Sequence, residues 1–391
     1  MSIENYEFVI IGGGMSGLSL TKEIISSGLT KNKKLLIIEK RDNYYRDKIW
    51  SFWNIMGSNY EKIKLNSWSS FSISNIAKSL SFEDTYDYIS IDSKLFYSEI
   101  LDMIENDDNS MMMINTSVNT ITQDDLSISI ELSNGSTIRA KYVFDSSYDI
   151  KSHELGPYDL YQHFKGVEIE TSKDQFNPDK FTLMDFNTSQ KDGLHFIYIL
   201  PLSKTKAIVE ATWFSKNILS DDIYQSYIDN YLEILDIHDY NTVYEEFGVI
   251  PMFITSSNSN KHTDNIFNIG TKGGLTRSST GYTFLNSQIH SRHIVSSLLN
   301  KNKITTNIIT KRSKFMDTIL LRILSKYPHL GPTIFVELFR RNKSKRVIHF
   351  LSGTSSMLED LQIMLKIPYI LYFTKEAINE IFQRILSLRK S

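Results

Sequence analysis

The 391-residue chain contains no cysteine. That excludes a disulfide framework, a thiolate metal site and a cysteine nucleophile, and it fits a reducing compartment. Long apolar runs are missing too: no uninterrupted stretch approaches the ~18 residues of a membrane span. Charge of one sign is also absent, since 43 Lys and Arg stand against 45 Asp and Glu, which argues against wholesale nucleic-acid binding. The first residues, Met1-Ser-Ile-Glu-Asn-Tyr-Glu7, carry no basic region before the first apolar run, so no signal peptide is expected and a cytoplasmic chain is. There is no internal repeat and no long low-complexity linker. A chain of this length can bury a large core.

What is present begins at Phe8-Val-Ile-Ile-Gly-Gly-Gly-Met-Ser-Gly-Leu18, an apolar run that drops into glycines and then into a helix-compatible segment. In such a strand–turn–helix, Gly12 makes the tight turn, Gly14 lets backbone approach a pyrophosphate and Gly17 permits close helix–strand packing. The helix N-terminus adds N–H groups and positive dipole for the phosphates. A second strand, Lys34-Leu-Leu-Ile-Ile-Glu39, ends in a carboxylate placed to hold a ribose diol. At the start of a chain this arrangement fits an FAD enzyme better than a stand-alone NAD domain.

The period-two segment Leu126–Leu132, an Asn134-Gly135 type I′ turn signal and Thr137–Asp145 read as a hairpin leading back into the parallel sheet. Residues 161–170, 194–200 and 207–214 read as antiparallel strands, and 221–235 and 282–299 as helices. Beyond Lys301 the chain reads as helix broken by Pro328, Pro332 and Pro368. The expected architecture is α/β: a Rossmann-type FAD-binding parallel sheet (1–150 with 259–301), an antiparallel β substrate domain (151–258) and a helical C-terminal region (302–391). Between Lys311 and Arg346 ten basic residues interleave with apolar ones against two acids, a pattern that suits either an anionic membrane surface or a solvated helical cap.

Several blocks resemble the bacterial lycopene cyclases, FAD-dependent enzymes that close the end rings of carotenoids. They are the N-terminal fingerprint, Asp47-Lys-Ile-Trp-Ser-Phe-Trp53, Tyr161-Gln-His-Phe-Lys-Gly166, Thr182-Leu-Met-Asp-Phe186, Tyr198-Ile-Leu-Pro-Leu202, Val209-Glu-Ala-Thr212, Glu246-Phe-Gly-Val-Ile-Pro-Met252 and Ile269–Phe284. They occur in the family's order over nearly the whole chain. Lys48, Ile49, Lys272, Arg277 and Ser278 depart from the family's usual residues.

The resemblance implies a redox-neutral isomerisation of lycopene or a related acyclic carotenoid to β-ionone rings. A carboxylic acid protonates a terminal double bond, a neighbouring double bond attacks the cation, and a proton is lost. It also implies reduced FAD, with NAD(P)H as the reductant that maintains it, and peripheral membrane association. Such an acid must stay protonated in an apolar pocket. Glu210, among apolar and aromatic neighbours and matching the family's essential glutamate, is the implied acid. Glu246 is a second catalytic candidate as base or hydrogen-bonding partner, and Asp185 is either a site residue or a structural cap. Gly12, Gly14, Gly17, Glu39, Lys48, Gly270, Gly273 and Gly274 are the implied cofactor-binding residues. His290 and His293 have helical ligand spacing but no third partner in the sequence, and no metal is expected. A flavin monooxygenase, a polyprenyl reductase or a non-catalytic flavin-binding relative would share the fingerprint.

Overall fold

A computed structural model describes residues 4–124, 127–254, 265–305 and 308–388. Leu126 and residues 259–264, which enter the sequence expectations, lie outside them. The chain opens with strand β1 (Glu4–Ile11), helix α1 (Met15–Ser26) and strand β2 (Leu35–Ile38). Strands β3 (Ile49–Trp53), β4 (Lys64–Asn75) and β5 (Lys78–Asp92) follow, then α2 (Ser93–Glu105). Strands β6 (Ser110–Met113), β7 (Val118–Gln123), β8 (Ile128–Leu132) and β9 (Thr137–Asp145) come next. The middle of the chain holds β10 (Leu160–Thr171), β11 (Lys180–Asp185), β12 (Leu194–Pro201), β13 (Lys206–Ser215), α3 (Asp221–Ile234) and β14 (Tyr240–Met252). Strand β15 (Ile266–Asn268) and α4 (Phe284–Leu299) precede the C-terminal helices α5 (Lys311–Lys326), α6 (Gly331–Arg341), α7 (Ser344–Ser352), α8 (Met357–Met364) and α9 (Ile370–Leu388).

Two sheets organise these elements. The first runs β6-β2-β1-β9-β8-β7, with β15 alongside β9. Its β1, β2, β6, β9 and β15 pairings are parallel, and the β7–β8–β9 meander is antiparallel. Phe8, Val9 and Ile10 and Leu35 to Ile37 are fully buried, as a parallel sheet covered on both faces requires. The second sheet runs β14-β10-β13-β12-β11-β4-β5-β3 and is antiparallel except where β11 meets β4. Helix α3 covers one of its faces through Tyr224, Ile228 and Leu232. Part of the other face packs on Leu321, Phe335, Phe339 and Val347 of α5, α6 and α7.

Three local expectations are revised. Residues 49–92 do not join the first sheet; β3, β4 and β5 hydrogen-bond into the second, where Trp53, Trp68, Phe71 and Tyr88 bury against Phe181 of β11. The Asn134-Gly135 turn is not type I′, since Gly135 alone takes a left-handed φ, of 82°. The Asn134 side chain instead accepts from the Ser136 amide at 3.0 Å, an Asx-type closure, and Asn134 itself has no positive φ. Pro332 does not break a helix. It sits in the first turn of α6, where a missing N–H costs nothing.

The basic stretch 311–346 is largely an internal cap. Arg312 pairs with Asp360, Arg322 and Lys326 with Glu376, and Arg340 and Arg341 with Glu337. The cap is fastened to the 270–283 loop by Arg277, whose guanidinium bonds both oxygens of Asp317 and the carbonyl of Phe350 at 2.8 Å. Ser279 donates to the same carboxylate at 2.7 Å. Both partners of the pair are buried, at 2% and 4% exposure. Removing one leaves an uncompensated buried charge, so Asp317→Ala is expected to lower unfolding stability by about 3–5 kcal/mol in urea titration. A loss below about 1 kcal/mol would show that the pair does not hold the cap.

Candidate active site

The glycine turn is shaped by contacts that admit no side chain. Gly12 has φ 91°, and a Cβ on Gly17 would lie 2.0 Å from the Gly12 carbonyl, so α1 can pack this close to β1 only without one. Gly14, by contrast, faces open space: no atom lies within 4 Å of a Cβ built there. It is the N-cap of α1, and no side chain caps that helix, so the first N–H groups are left to whatever occupies the opening. On the opposite side the loop after β15 packs against α1. A Cβ on Gly270 (φ 60°) would stand 2.8 Å from the Ser16 hydroxyl, and one on Gly273 2.4 Å from the Asn268 carbonyl. Gly274 is open like Gly14. These features form a backbone cradle at the N-terminus of α1.

Glu39 ends β2 beside this turn. Its carboxylate accepts from the Gly13 amide at 2.7 Å and the Arg41 amide at 2.9 Å. Burial opposes its ionisation, but the side-chain and backbone hydrogen bonds of Arg41 outweigh that and hold it below the usual carboxylate range. Arg41 and Tyr44 both donate to the Gly13 carbonyl at 2.9 Å. A cavity of about 630 Å³ opens alongside, lined by Tyr44, Tyr97, Leu101, Met112 and Ile114 among others.

The second constellation is a register row across the antiparallel sheet. Gly166 of β10 stands directly opposite Glu246 of β14 on one side and Glu210 of β13 on the other, and Glu210 in turn faces Tyr198 of β12. Residues opposite one another share a face, so the two carboxyls flank a position with no side chain. A Cβ on Gly166 would meet the Glu246 Cγ at 3.4 Å and the Glu210 Cβ and Cγ at 3.8 Å.

Burial sets the ionisation of the pair. It pushes the Glu210 carboxyl up to about 8, against the pull of the Thr212 hydroxyl and with a further push from the charge of Glu246. Glu246 is raised to about 7 by burial, moderated by Lys48, the Ile49 amide at 2.9 Å and the Tyr244 hydroxyl at 3.3 Å. Tyr88 and Tyr198 lie next to Glu210; their hydroxyls are deeply buried, and that burial holds both well above the usual phenol range. The two rings meet edge to face with centroids 6.3 Å apart.

The structure brings Glu210 and Glu246 together and adds Lys48 to them. The Lys48 ammonium donates to the Phe247 carbonyl at 2.6 Å and acts electrostatically on both carboxyls, rather than touching the glycine turn. Asp185 is not part of the group. Its strand neighbour Ile197 pairs with Ala211, which alternation turns to the face opposite Glu210. There Asp185 accepts from Ser74 at 2.9 Å, Tyr231 of α3 at 2.5 Å and the Asn187 amide at 2.9 Å, anchoring strand to helix. His290 is buried in α4, and burial lowers it to about 4.

Sequence reasoning missed Arg41, Tyr44 and Ser16 at the cradle and Tyr88 and Tyr198 at the carboxyl row. The tyrosines sit at ordinary inward positions of period-two strands, and nothing local separates them from core. Lys272, a departure from the family pattern, pairs with Asp145 at the end of β9.

A sequence profile described as "Lycopene cyclase protein" matches residues 7–377. A lycopene beta-cyclase of Paracoccus sp. strain N81106 is 38% identical over 91 residues, 23% of this chain and 23% of that protein. The matched stretch is thus under a quarter of the curated relative. Among solved structures, a geranylgeranyl bacteriochlorophyll reductase-like protein from Thermoplasma acidophilum superposes with a TM-score of 0.63 at 14% identity, over 96% of this chain and all of that one. A flavoprotein/dehydrogenase from Cytophaga hutchinsonii gives 0.64 at 10% identity, with the same coverage. These likenesses establish the mixed α/β fold with its helical C-terminal region.

The carboxyl row makes a pH prediction. Both folded-state values lie above the ordinary carboxyl value, so the stability they contribute is complete at low pH and is lost as pH rises through about 7 and about 8. A Glu210→Gln, Glu246→Gln double variant, which cannot ionise there, should therefore melt higher relative to the parent at about pH 9 than at about pH 5. An equal difference at both pH values would contradict the burial argument.

Proposed function

The chain belongs to the lycopene cyclase family, and from that premise we propose that it closes the ends of lycopene into β-ionone rings by acid-initiated, redox-neutral chemistry. The observation that carries this reading is the register row: a carboxyl kept protonated near neutral pH, beside a second carboxyl and buried aromatic rings. Glu210 gives its proton to the terminal double bond. The cation this creates is attacked by the neighbouring double bond, forming the ring carbon–carbon bond. The π-faces of Tyr88 and Tyr198 and the exclusion of water protect the cation. Glu246, held by the Ile49 amide and Tyr244, takes the proton that leaves the ring. Between turnovers Glu246 releases that proton to solvent and Glu210 takes a fresh one from solvent, which restores the starting state, so substrate and product are isomers.

FAD fits the cradle: the space at Gly14 and Gly274 admits a pyrophosphate, the uncapped α1 N-terminus supplies its N–H donors, and the pocket beside Glu39, Arg41 and Tyr44 suits an adenosine. When bound and reduced, the flavin supplies negative charge near the cation, with NAD(P)H keeping it reduced. No helix among the described residues is long and apolar enough to cross a membrane. A wholly apolar substrate is held in the bilayer, and meeting it at the membrane surface as a peripheral protein is part of the reading. A reductase or monooxygenase reading is favoured by fold likeness alone, and it differs in consuming NAD(P)H in proportion to product.

Two variants test this reading. Glu210→Gln preserves size and hydrogen bonding but has no proton to give, so ring closure should fall by ~10² or more with fold and flavin retained. Near-normal β-carotene formation would move the acid elsewhere. Gly14→Val places a branched side chain where no atom now lies within 4 Å. The purified variant should lose its flavin absorbance, and full retention would contradict the cradle assignment.

A further inference from the structure

Helices α8 and α9 are amphipathic the wrong way round for water. In α9, Leu371, Ile378, Phe382 and Ile385 recur at helical spacing along one stripe, and all four are exposed, Leu371 at 80%. The opposite stripe carries Glu376, Glu380 and Gln383, and these turn inward to Arg322 of α5. Arg322 and Glu376 are 2% and 1% exposed, and the guanidinium also lies over the Tyr158 ring. Helix α8 repeats the inversion. Asp360 is buried against Arg312 and Ser355, while Met357, Leu358 and Leu365 stand between 72% and 74% exposed. Half of the exposed large apolar side chains among the described residues lie between 357 and 386. A patch of this extent is unusual on a surface meant for water.

We propose that the outward faces of α8 and α9, with the turn between them, form a docking face that seats in the headgroup layer of an anionic lipid bilayer. The charge distribution selects this occupant. Asp360, Glu376 and Glu380 are all neutralised from within, by Arg312, by Arg322 and Lys326, and by Arg322 and Arg384. Glu359 is engaged in the α8 capping box. Lys366 and Lys375 form no ion pair among the described residues and outnumber the unpaired Glu359, so the face presents net positive charge. Tyr369 and Tyr372, each partly exposed at the turn, have the amphipathic rings that favour an interface. A symmetric pairing of two copies through this face would set it against itself, apolar stripe on apolar stripe but with Lys366 and Lys375 meeting no acid. The site differs from the basic segment 311–346, five of whose ten cations pair with acids of the cap.

This inference rests on the proposed substrate only for why a bilayer is useful, and the experiment separates the two. Full-length protein is sedimented with phosphatidylcholine vesicles containing about a third phosphatidylserine, and with pure phosphatidylcholine. The wild type should bind both, more tightly to the anionic vesicles, and keep most of its binding in high salt because apolar insertion is not screened. Leu365→Asp with Leu371→Asp should lower partitioning at least ~tenfold with an unchanged melting temperature. Leu358→Asp on α8 provides a second, independent lesion. Lys366→Glu with Lys375→Glu should abolish the preference for anionic lipid. The leucine variant should still cyclise lycopene dispersed in detergent micelles and fail with lycopene in vesicles. A wild type that binds vesicles without cyclising anything refutes the enzymatic reading alone. A wild type that stays in the supernatant, a leucine variant that binds equally well, or a lipid-free dimer that the leucine variant dissolves would each overturn the docking face.

Discussion

Two carboxyl groups held on one face of a sheet, with a single glycine between them, are the constraint on which the rest of the site depends. Burying an ionised carboxylate is costly unless it is paired or neutralised. Here the nearest cation, Lys48, moderates the cost without removing it, and the carboxyls respond by holding their protons to unusually high pH. Gly166 makes that arrangement possible in two ways. It lets the flanking side chains lean over the same spot, and it leaves the floor of the site free of a side chain. Phenol rings rather than aliphatic groups complete the enclosure, giving a surface that is apolar toward a hydrocarbon and electron-rich toward a cation.

The fold supplies this row from distant parts of the chain. Strands β10, β13 and β14 must pair in one register, because a slip of one residue would turn Glu210 and Glu246 to the other face. That other face is fixed by its own packing. His163, Trp213 and His195 stack along it, with the His195 and Trp213 centroids 3.7 Å apart, and Tyr224 and Tyr227 of α3 close over Trp213. Burial lowers the two histidines, to about 4 and about 3, so they are neutral spacers at physiological pH. Above the row, the Ile49 amide and Lys48 arrive from the connection between the sheets, and Arg277 ties the nearby loop to the helical cap. Arg41 beside the glycine turn pairs with Asp47, two residues before the Ile49 amide that donates to Glu246, so the cradle and the carboxyl row are linked through residues 47–49.

Much of this was legible in the sequence, for definite reasons. Glycines in a strand–turn–helix leave a local signature, so Gly12 and Gly17, which have steric jobs, and Gly14, which lines open space, were readable from the strand and helix around them. Glu210 was singled out by the family resemblance, since its apolar neighbours alone left an outward-facing strand residue equally open. Its partnership with Glu246 through Gly166 was not visible, because register between strands dozens of residues apart is a tertiary property. Residues 49–92 were grouped with the cofactor domain by chain order, and their pairing into the second sheet was hidden for the same reason. Asp185 was ambiguous between site and anchor until strand pairing placed it on the α3 side. The basic C-terminal stretch stayed open between two readings, because cations facing acids inside a cap and cations facing a membrane look alike in one dimension. The inverted pattern of α8 and α9 emerges only when Arg322 and Glu376 are seen to be buried.

The central claim is that a protein carboxyl starts the reaction by proton transfer to carbon and that electrons are not consumed. Cyclisation of lycopene in deuterated water, with chemically reduced flavin and reductant measured alongside pigment, tests it directly. The account predicts one solvent deuterium at the protonated carbon of each new ring, with reductant use that does not scale with product. Rings formed without deuterium, or reductant consumed in step with each ring, would contradict it.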